Sequence, residues 1–127
     1  LHESGLAPQD IGYINAHGTA TLEGDPIEIA AIREVFGSSA EALPVSATKG
    51  SHGHMMGATG AVEAAISVLA LMQDALPPTA NLRNVDPACE GVRHITGQAL
   101  RQTGPKAAMS NSFAFGGSNA VLVFKTI

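Results

Sequence analysis

Cysteines, clusters of basic residues and long apolar runs are scarce in this sequence. Cys89 is the only cysteine among 127 residues, so the chain has no disulfide framework and a reducing compartment is expected. Cys89 sits in an Asp-Pro-Ala-Cys-Glu turn, where we interpret it as structural. The seven lysines and arginines form no cluster and the formal net charge is -4, which argues against nucleic acid or an acidic membrane as partner. The longest charge-poor run, residues 64–73, is too short to cross a bilayer and predicts a core helix.

The remaining composition is that of a globular domain. Apolar residues make up 45% of the chain and charged residues 14%, an ordinary balance for a protein with one core. The chain begins at Leu1 without a methionine, and its first residues resemble the last turn of a helix with Gly5 near its C-cap. We therefore expect residues 1–127 to form one domain, or most of one, of a longer protein.

A glycine-rich stretch between two apolar segments is the strongest candidate site. Residues 46–60, S-A-T-K-G-S-H-G-H-M-M-G-A-T-G, contain Lys49, His52 and His54 and precede a helix predicted over residues 57–74. Connections between a strand and a helix carry functional residues more often than the elements they join. A lysine five residues from a histidine can share a pocket with it and shift its pKa. We predict an active-site loop, although a His-x-His alone is also compatible with an ordinary polar loop.

A second histidine follows an apolar strand predicted over residues 11–16. His17 stands where this strand ends, and the small hydroxyl residues Thr19 and Thr21 come directly after it. The ends of strands are where α/β proteins place their functional groups. His17 is therefore a second candidate site residue.

The segment Asp25-Pro26-Ile27-Glu28 predicts the start of a helix that ends at Gly37. Aspartate suits the N-cap, proline suits the first helical position, and Glu28 can reach back to the cap. We therefore assign both carboxylates to capping and not to catalysis. The apolar residues of this helix fall on two faces, which predicts burial on more than one side.

The helix predicted over residues 57–74 carries a single internal charge. Glu63 is that charge, so it must lie at the rim or be paired, and Lys49 is its natural partner. The helical periodicity predicts a core-facing stripe, which consists of Ala61, Val62, Ala65, Leu69 and Met72.

Two apolar runs near the C-terminus predict a β-hairpin. The runs cover residues 106–109 and 120–124, and they flank a loop predicted over residues 113–119, F-A-F-G-G-S-N. A structural loop seldom exposes two phenylalanines, so we predict a functional loop. Phe113 is the better candidate for a core anchor, whereas Phe115 is flanked by small residues.

Three of these stretches together resemble the C-terminal motifs of the elongating β-ketoacyl-ACP synthases of the thiolase superfamily. They occur in the family's order and at compatible spacing over nearly the whole chain. The stretches are A-H-G-T-A-T at 16–21, T-K-G-S-H-G-H-M-M-G-A-T-G-A-V-E at 48–63 and N-S-F-A-F-G-G-S-N at 111–119.

The resemblance implies an α/β fold of the thiolase type, in which two similar halves pack face to face. This chain would be the C-terminal half of the duplicated fold, a mixed sheet with helices packed against it. The family's nucleophilic cysteine belongs to the other half, and Cys89 lies in no matching motif. We therefore expect the chain to be inactive alone.

The resemblance also implies roles for the catalytic residues. His17 and His54 match the two catalytic histidines, and two histidines are typical of elongating rather than initiating enzymes. Lys49 matches the lysine that orients and polarises the surroundings of the second histidine. Glu63 matches the acidic partner on the following helix. His52 lies at a position that varies within the family, and we treat it as incidental.

Further residues match positions that bind substrate. Thr19 and Thr21 match the hydroxyls that hold the phosphopantetheine arm. Phe115 matches a gating phenylalanine whose backbone N-H helps to form an oxyanion hole, with Gly116 and Gly117 making the loop mobile.

The implied reaction is decarboxylative Claisen condensation of malonyl-ACP with an enzyme-bound acyl chain in fatty-acid elongation. The implied partners are an acyl carrier protein and a second copy in a homodimer. No cofactor is implied, because the substrates are carried on the phosphopantetheine of the carrier protein. The expected location is cytoplasmic, or mitochondrial or plastid in a eukaryote.

Three alternatives remain open at this point. Residues 24–28 look more like modular polyketide synthases, so the chain can belong to a polyketide ketosynthase. It can also belong to a non-catalytic partner subunit that sets chain length, although such a scaffold has no need of His17, Lys49 and His54. A metal-binding module using His17, His52 and His54 is the weakest alternative, because no cysteine or acidic cluster completes a site. We therefore predict no metal site.

Overall fold

The computed structural model describes residues 1–126 and contains a mixed five-stranded sheet with helices on both faces. The order of strands in this sheet is β4-β2-β1-β6-β7, and a small second sheet pairs β3 with β5. Neighbours among β4, β2, β1 and β6 are parallel, whereas β7 is antiparallel to β6. The predicted α/β class with a mixed sheet is confirmed. The strands are β1 (Ile11–Asn15), β2 (Pro44–Ser46), β3 (Ala75–Leu76), β4 (Arg93–His94), β5 (Leu100–Arg101), β6 (Ala107–Ala114) and β7 (Ser118–Lys125).

Three α-helices accompany the strands, namely α1 (Gly24–Phe36), α2 (Lys49–His52) and α3 (Thr59–Gln73). Side chains alternate between the two faces of a strand. Ile14 therefore belongs to the apolar cluster that contains the buried residues of α1, whereas its neighbour Tyr13 belongs to the cluster that contains those of α3. The two long helices consequently cover opposite faces of the sheet. Burial raises the pKa of the Tyr13 hydroxyl, which donates to or accepts from Ser46 Oγ at 2.8 Å.

Helix α1 has the predicted length but not the predicted packing. It ends at Phe36, and Gly37 follows with a φ of 54°, a backbone region that suits glycine. Only one side is buried, through Ile29, Ile32 and Phe36, while Ile27 is exposed. The prediction of burial on more than one side is therefore wrong for the residues that the structure describes.

Helix α3 turns a different face to the sheet than its apolar pattern predicts. The residues it buries are Thr59, Glu63, Ser67, Ala70 and Leu71. Leu69 and Met72 of the predicted stripe are 50% and 75% exposed. The physical reason is that Glu63 binds Lys49 on the sheet side, which fixes the rotation of the helix. The hydroxyl of Ser67 donates to the Glu63 carbonyl at 2.8 Å, so the small polar residues on this face remain paired.

The apolar helical segment lies within one residue of the bounds predicted for it at each end. A 3-10 turn precedes α3, and the combined segment Met56–Gln73 has 18 residues and a mean hydropathy of 1.3. By length and composition alone this segment meets the criterion for a membrane span, although the charge-poor run of residues 64–73 within it is shorter. One such helix is weak evidence, because core helices meet the same criterion, and α3 packs against β6 and β1.

The C-terminal hairpin is tighter than predicted. Strands β6 and β7 stay paired up to Ala114 opposite Ser118, so the connecting loop is residues 115–117 and not the predicted 113–119. Phe115 is fully exposed at its tip. Phe113 lies within β6 and is half-buried.

Cys89 lies in a short 3-10 turn and is buried in the apolar cluster on the α1 side. Burial raises the pKa of its thiol, and the nearby carboxylates of Asp25 and Asp86 raise it further. A thiol in such surroundings is a poor nucleophile, which agrees with the structural interpretation from the sequence.

Candidate active site

His17 lies at the carboxyl end of β1, in a turn held by a buried carboxylate. The N-H groups of His17 and Gly18 donate to the two carboxylate oxygens of Glu28, each at 2.9 Å. The side-chain amide of Asn111 also donates to Glu28, at 3.0 Å. Glu28 is only 4% exposed, and its two oxygens accept all three of these hydrogen bonds. The predicted capping role of Glu28 is therefore wrong, because its side chain points away from the helix start and towards the histidine turn.

Asp25 also differs from its predicted role. Helix α1 begins at Gly24, and the preceding residue, Glu23, makes no side-chain capping hydrogen bond. The Asp25 carboxylate instead accepts the N-H of Ala20 at 3.1 Å, where the backbone has a φ of 58°. Asp25 thus stabilises the loop between His17 and the helix rather than the helix end.

Lys49 and Glu63 form a buried ion pair beneath this turn. The Lys49 ammonium lies 2.6 Å from Glu63 Oε1 and also donates to the His17 carbonyl oxygen. Both side chains are almost fully buried, so the predicted pairing is confirmed. Burial raises the pKa of Glu63, and contact with the Lys49 ammonium opposes that rise. One cation thereby links the end of β1, helix α2 and helix α3.

The two predicted catalytic histidines meet in space. The His17 and His54 ring centroids are 5.8 Å apart with the ring planes at 89°, an edge-to-face arrangement. Phe113 contacts the His17 ring as well, with centroids 5.6 Å apart. Burial lowers the pKa of His17, and the charges of Lys49 and His54 lower it further. His17 is consequently neutral near pH 7.

The contacts of His54 determine which of its nitrogens carries the proton. The backbone N-H of Met56 donates to His54 Nδ1 at 3.2 Å, and Met56 adopts a φ of 50° to reach it. The hydroxyl of Thr59 lies 3.0 Å from the same nitrogen. A backbone N-H can only donate, so Nδ1 is the acceptor and a neutral His54 carries its hydrogen on Nε2. The ring can therefore donate a hydrogen bond through Nε2.

The other predicted site residues lie on two flanking loops. Thr19 and Thr21 place their hydroxyl oxygens 3.4 Å apart, and the N-H of Gly24 donates to Thr21 at 3.1 Å. At the hairpin tip, Gly116 and Gly117 have φ values of 82° and 80°. Phe115, beside them, extends into solvent in the described chain. Thr19 is partly buried, whereas Thr21 and the residues of the hairpin tip are exposed.

Sequence reasoning missed three polar residues that support the site, namely Glu28, Asn15 and Thr48. Each is almost fully buried. Asn15 offered a usable clue, because a lone amide in an otherwise apolar strand requires hydrogen-bond partners when buried. Nothing in the sequence distinguished the role of Glu28 from that of a helix cap.

Both ring nitrogens of His52 are engaged in hydrogen bonds rather than directed towards other potential metal ligands. Its Nε2 lies 3.1 Å from the Thr48 hydroxyl and its Nδ1 2.7 Å from the Gly53 carbonyl oxygen. Among residues 1–126, no three histidine, cysteine, aspartate or glutamate side chains are grouped so that they can hold a metal ion.

Replacement of Glu28 by glutamine tests the clamp on the histidine turn, which is the pair of hydrogen bonds from the N-H groups of His17 and Gly18 to the Glu28 carboxylate. One oxygen becomes an amide that faces an N-H donor, and an unpaired buried group costs about 1 to 3 kcal/mol. We call the longer protein that is expected to contain this chain the parent protein. We expect its free energy of unfolding to fall by that amount in urea denaturation. Glu34→Gln, at an exposed position of the same helix, is the control and should change little. Equal effects of the two variants would contradict the clamp.

Comparison with known proteins identifies the family. Residues 1–83, which include His17, Lys49, His54 and Glu63, match the family model described as the β-ketoacyl synthase C-terminal domain. The chain belongs to this family.

Individual relatives of this ketoacyl synthase domain match over its whole length. A 3-oxoacyl-[acyl-carrier-protein] synthase 2 of Coxiella burnetii is 46% identical over 127 residues, all of this chain and 30% of the relative. A crystal structure of a β-ketoacyl synthase from Burkholderia phymatum is 40% identical with a TM-score of 0.92, covering 100% of this chain and 30% of the other.

A third match is a type II PKS acyl-carrier protein in complex with its ketosynthase bound to the hexaketide. It is 31% identical with a TM-score of 0.94, over 100% of this chain and 31% of the other. The predicted thiolase-like fold of the synthases is therefore confirmed. The chain spans about a third of the length of the relatives that it matches.

Proposed function

We propose that this chain supplies the histidine, histidine and lysine part of the active site of a β-ketoacyl-ACP synthase. The parent enzyme is an acyltransferase that elongates acyl chains in fatty-acid synthesis. The observation that carries the proposal is the edge-to-face pair of His17 and His54 above the buried Lys49. Two imidazole rings this close together can both donate a ring N-H to one oxygen that gains negative charge.

The reaction proceeds in two steps. Loss of CO2 from malonyl-ACP breaks the bond between the carboxylate carbon and the methylene carbon, and the electron pair moves onto the thioester to form an enolate. Hydrogen bonds from His17 and His54 stabilise the enolate oxygen, and a neutral His54 carries on Nε2 the hydrogen that it donates. The methylene carbon then attacks the acyl thioester on a cysteine outside this chain. The new carbon-carbon bond forms as the cysteine thiolate leaves.

The remaining site residues have supporting roles in this proposal. Lys49, held by Glu63, keeps the His17 backbone in place and adds positive charge beside the pair. Thr19 and Thr21 bind the phosphopantetheine arm through hydroxyls that lie side by side.

The hairpin tip is the gate of the site in this proposal. Phe115 opens and closes access and offers its backbone N-H to the acyl oxyanion. The left-handed backbone of Gly116 and Gly117 allows the tip to move.

The proposed partners follow from the chemistry of the substrates. An acyl carrier protein delivers them, which is supported by a solved complex of a related ketosynthase with its acyl-carrier protein. The parent enzyme is a cytoplasmic homodimer and requires no metal or other cofactor. Residues 1–127 form most of the C-terminal domain of that enzyme.

A ketosynthase of polyketide synthesis is the second candidate function. A type II PKS ketosynthase is 31% identical to this chain and matches all of it. Both pathways use the same condensation step, and they differ in the acyl substrate that the parent enzyme accepts. A non-catalytic partner subunit remains the alternative if the parent protein lacks a nucleophile.

The exposed apolar residues of α3 are covered by the preceding half of the parent protein in this proposal. Leu69 and Met72 are exposed on α3, and Phe115 is exposed at the tip of the C-terminal hairpin. The chain expressed alone is therefore expected to bind a hydrophobic dye strongly, because single-chain proteins rarely expose such patches. The parent protein, at equal concentration, should bind much less dye. A monomeric chain that melts sharply without binding dye would contradict this expectation.

The decisive experiment measures CO2 release from malonyl-ACP by the parent protein. His54→Ala should lower the rate by about a hundredfold or more, because it removes a donor to the developing oxyanion. His2→Ala, at an exposed position, is the control for loss of a histidine. A parent protein that releases no CO2 would favour the partner-subunit alternative.

A further inference from the structure

His52, which the proposed mechanism does not use, makes hydrogen bonds through both ring nitrogens. Nδ1 lies 2.7 Å from the Gly53 carbonyl oxygen and Nε2 lies 3.1 Å from Thr48 Oγ1. A carbonyl oxygen only accepts, so Nδ1 carries a hydrogen. In the neutral ring, Nε2 then has no hydrogen and must accept one from the Thr48 hydroxyl.

The Thr48 hydroxyl has a second acceptor within reach. It lies 3.2 Å from Oδ1 of Asn15. The orientation of the Asn15 amide is set at its other end, where Nδ2 donates to the Glu63 carbonyl oxygen at 3.4 Å. Reversal of the amide would place two acceptors against each other. A neutral His52 and Asn15 therefore compete for the single hydrogen of Thr48.

Protonation of His52 removes this competition. The imidazolium ring carries hydrogens on both nitrogens, so Nε2 donates to Thr48 and the Thr48 hydroxyl donates to Asn15. Every member of the chain of hydrogen bonds is then paired. Asn15 and Thr48 are 0% and 3% exposed, and an unpaired acceptor at such a depth is unfavourable.

These hydrogen bonds join the elements that carry the active site. Asn15 is two residues before His17 on the same strand end, and Thr48 directly precedes Lys49. The carbonyl oxygen that accepts from the Asn15 amide belongs to Glu63, whose side-chain carboxylate binds Lys49. A change in these hydrogen bonds therefore acts on the positions of the first histidine, the lysine and the glutamate together.

The ionisable residues near His52 in the described part of the chain are Glu63 on α3 and the sequence neighbours of His52, Lys49 and His54. The Glu63 carboxylate on α3 interacts with the His52 charge. Lys49 lies on the same short helix as His52 and is bound to Glu63. His54 follows two residues later. His52 is partly exposed, so its ring can exchange protons with solvent.

We propose that His52 is a positioning residue of the active site, which sets the direction of the Thr48 to Asn15 hydrogen bond by gaining or losing a proton. Through that bond it holds the carboxyl end of β1 against the start of α2, while the Asn15 amide contacts α3. The inference rests on the proposed function, because the end of β1 matters for catalysis only if His17 does.

The kinetic test compares kcat and KM for CO2 release from malonyl-ACP by the parent protein between about pH 5.5 and 8.5, where histidines titrate. In the His52→Gln variant, the side-chain amide can donate to Thr48 at every pH. We expect kcat of the parent to fall as His52 loses its proton, with KM little changed, and the glutamine variant to lose that part of the pH dependence. Identical pH profiles would overturn the proposal.

The Thr48→Val variant removes the hydroxyl and keeps the shape of the side chain. It should lower kcat by about tenfold, as expected for a slightly misplaced catalytic group, and His52→Gln should then have no further effect on the pH profile. A His2→Gln variant is the control, because His2 is exposed and distant in the chain. A pH effect of His52→Gln that persists without the Thr48 hydroxyl would overturn the proposal.

A second measurement does not depend on synthase activity. Thermal unfolding of the parent protein is compared for His52→Ala, Thr48→Val and the double variant. Coupled residues give a combined loss that is smaller than the sum of the single losses, which we expect here. Additive losses would overturn the proposal even if CO2 release is normal. If the parent protein releases no CO2, the proposed function fails. The comparison of the two single variants with the double variant still decides the role of His52.

Discussion

Lys49→Met is expected to destabilise the parent protein by about 3 to 5 kcal/mol, because it leaves the Glu63 carboxylate as an unpaired buried charge. Glu63 is 0% exposed and its Oε1 lies 2.6 Å from the Lys49 ammonium. Its second oxygen, Oε2, has no partner among the described residues, so no other group can replace the lysine. The loss should be visible as a lower midpoint of urea unfolding with an unchanged slope.

The pH dependence of the Lys49→Met variant gives a sharper test. Burial raises the pKa of Glu63, and the variant lacks the Lys49 ammonium, which opposes that rise more strongly than the charges of His52 and His54 do. A folded state whose carboxyl pKa is raised binds a proton more readily than the unfolded state. The variant should therefore regain stability as the pH falls from the raised folded value towards the ordinary glutamate value of about 4.3.

Two further variants complete this experiment. The pair replaced by two apolar residues, Lys49→Met with Glu63→Leu, should be more stable than Lys49→Met alone, because no charge is left buried. Lys106→Met, at an exposed position, should change the free energy of unfolding by no more than about 0.5 kcal/mol. A Lys49→Met variant as stable as this control would show that the ion pair has little influence on folding.

Gly18→Ala is expected to have the second large effect, because the structure leaves no room for a side chain there. A Cβ on Gly18 would lie 2.3 Å from the Cβ of Ala47, and the residue has a φ of 44°. The backbone conformation alone costs an alanine about 1 to 2 kcal/mol, and overpacking adds about 1 to 3 kcal/mol. The ends of β1 and β2 must separate, which also moves His17 away from Lys49. Stability and CO2 release should therefore both fall.

The controls for Gly18→Ala separate the backbone from the overlap. Gly97 has a φ of 68°, and a Cβ on this residue would have no neighbouring atom within 4 Å, so Gly97→Ala reports the cost of backbone conformation alone. Ala47→Gly removes the atom that clashes, and we expect it to recover part of the stability lost in Gly18→Ala. If Ala47→Gly recovers nothing, the overlap is not the cause of the loss.

Several parts of the fold were predictable because they depend on local chemistry. The apolar run before His17 forms β1, and Gly37 follows the last residue of α1. The pairing of Lys49 with Glu63 was predictable on energetic grounds alone, since a lone charge in an apolar helix needs a partner. The proximity of His17 and His54 was implied by the resemblance of their loops to one family's motifs.

The predictions that failed were those that depended on tertiary contacts. Glu28 has the sequence position of a helix cap, yet its carboxylate binds the turn that carries His17. The apolar stripe of α3 has regular helical spacing, yet the helix turns its polar face to the sheet. The hairpin loop was judged too long, because the pairing of Ala114 with Ser118 depends on the opposite strand.

The class of the fold, the main helix and strand segments and the residues available for chemistry follow from the order of amino acids alone, because periodicity, glycine positions and charge scarcity are local properties. Three-dimensional packing was needed to establish which face of α3 is buried, which nitrogen of His54 donates and what Glu28 holds. These features depend on groups that are distant in the chain and meet at the carboxyl ends of β1 and β2. The hydrogen-bond partners of a buried polar group depend on these tertiary contacts, which cannot be read from the local sequence.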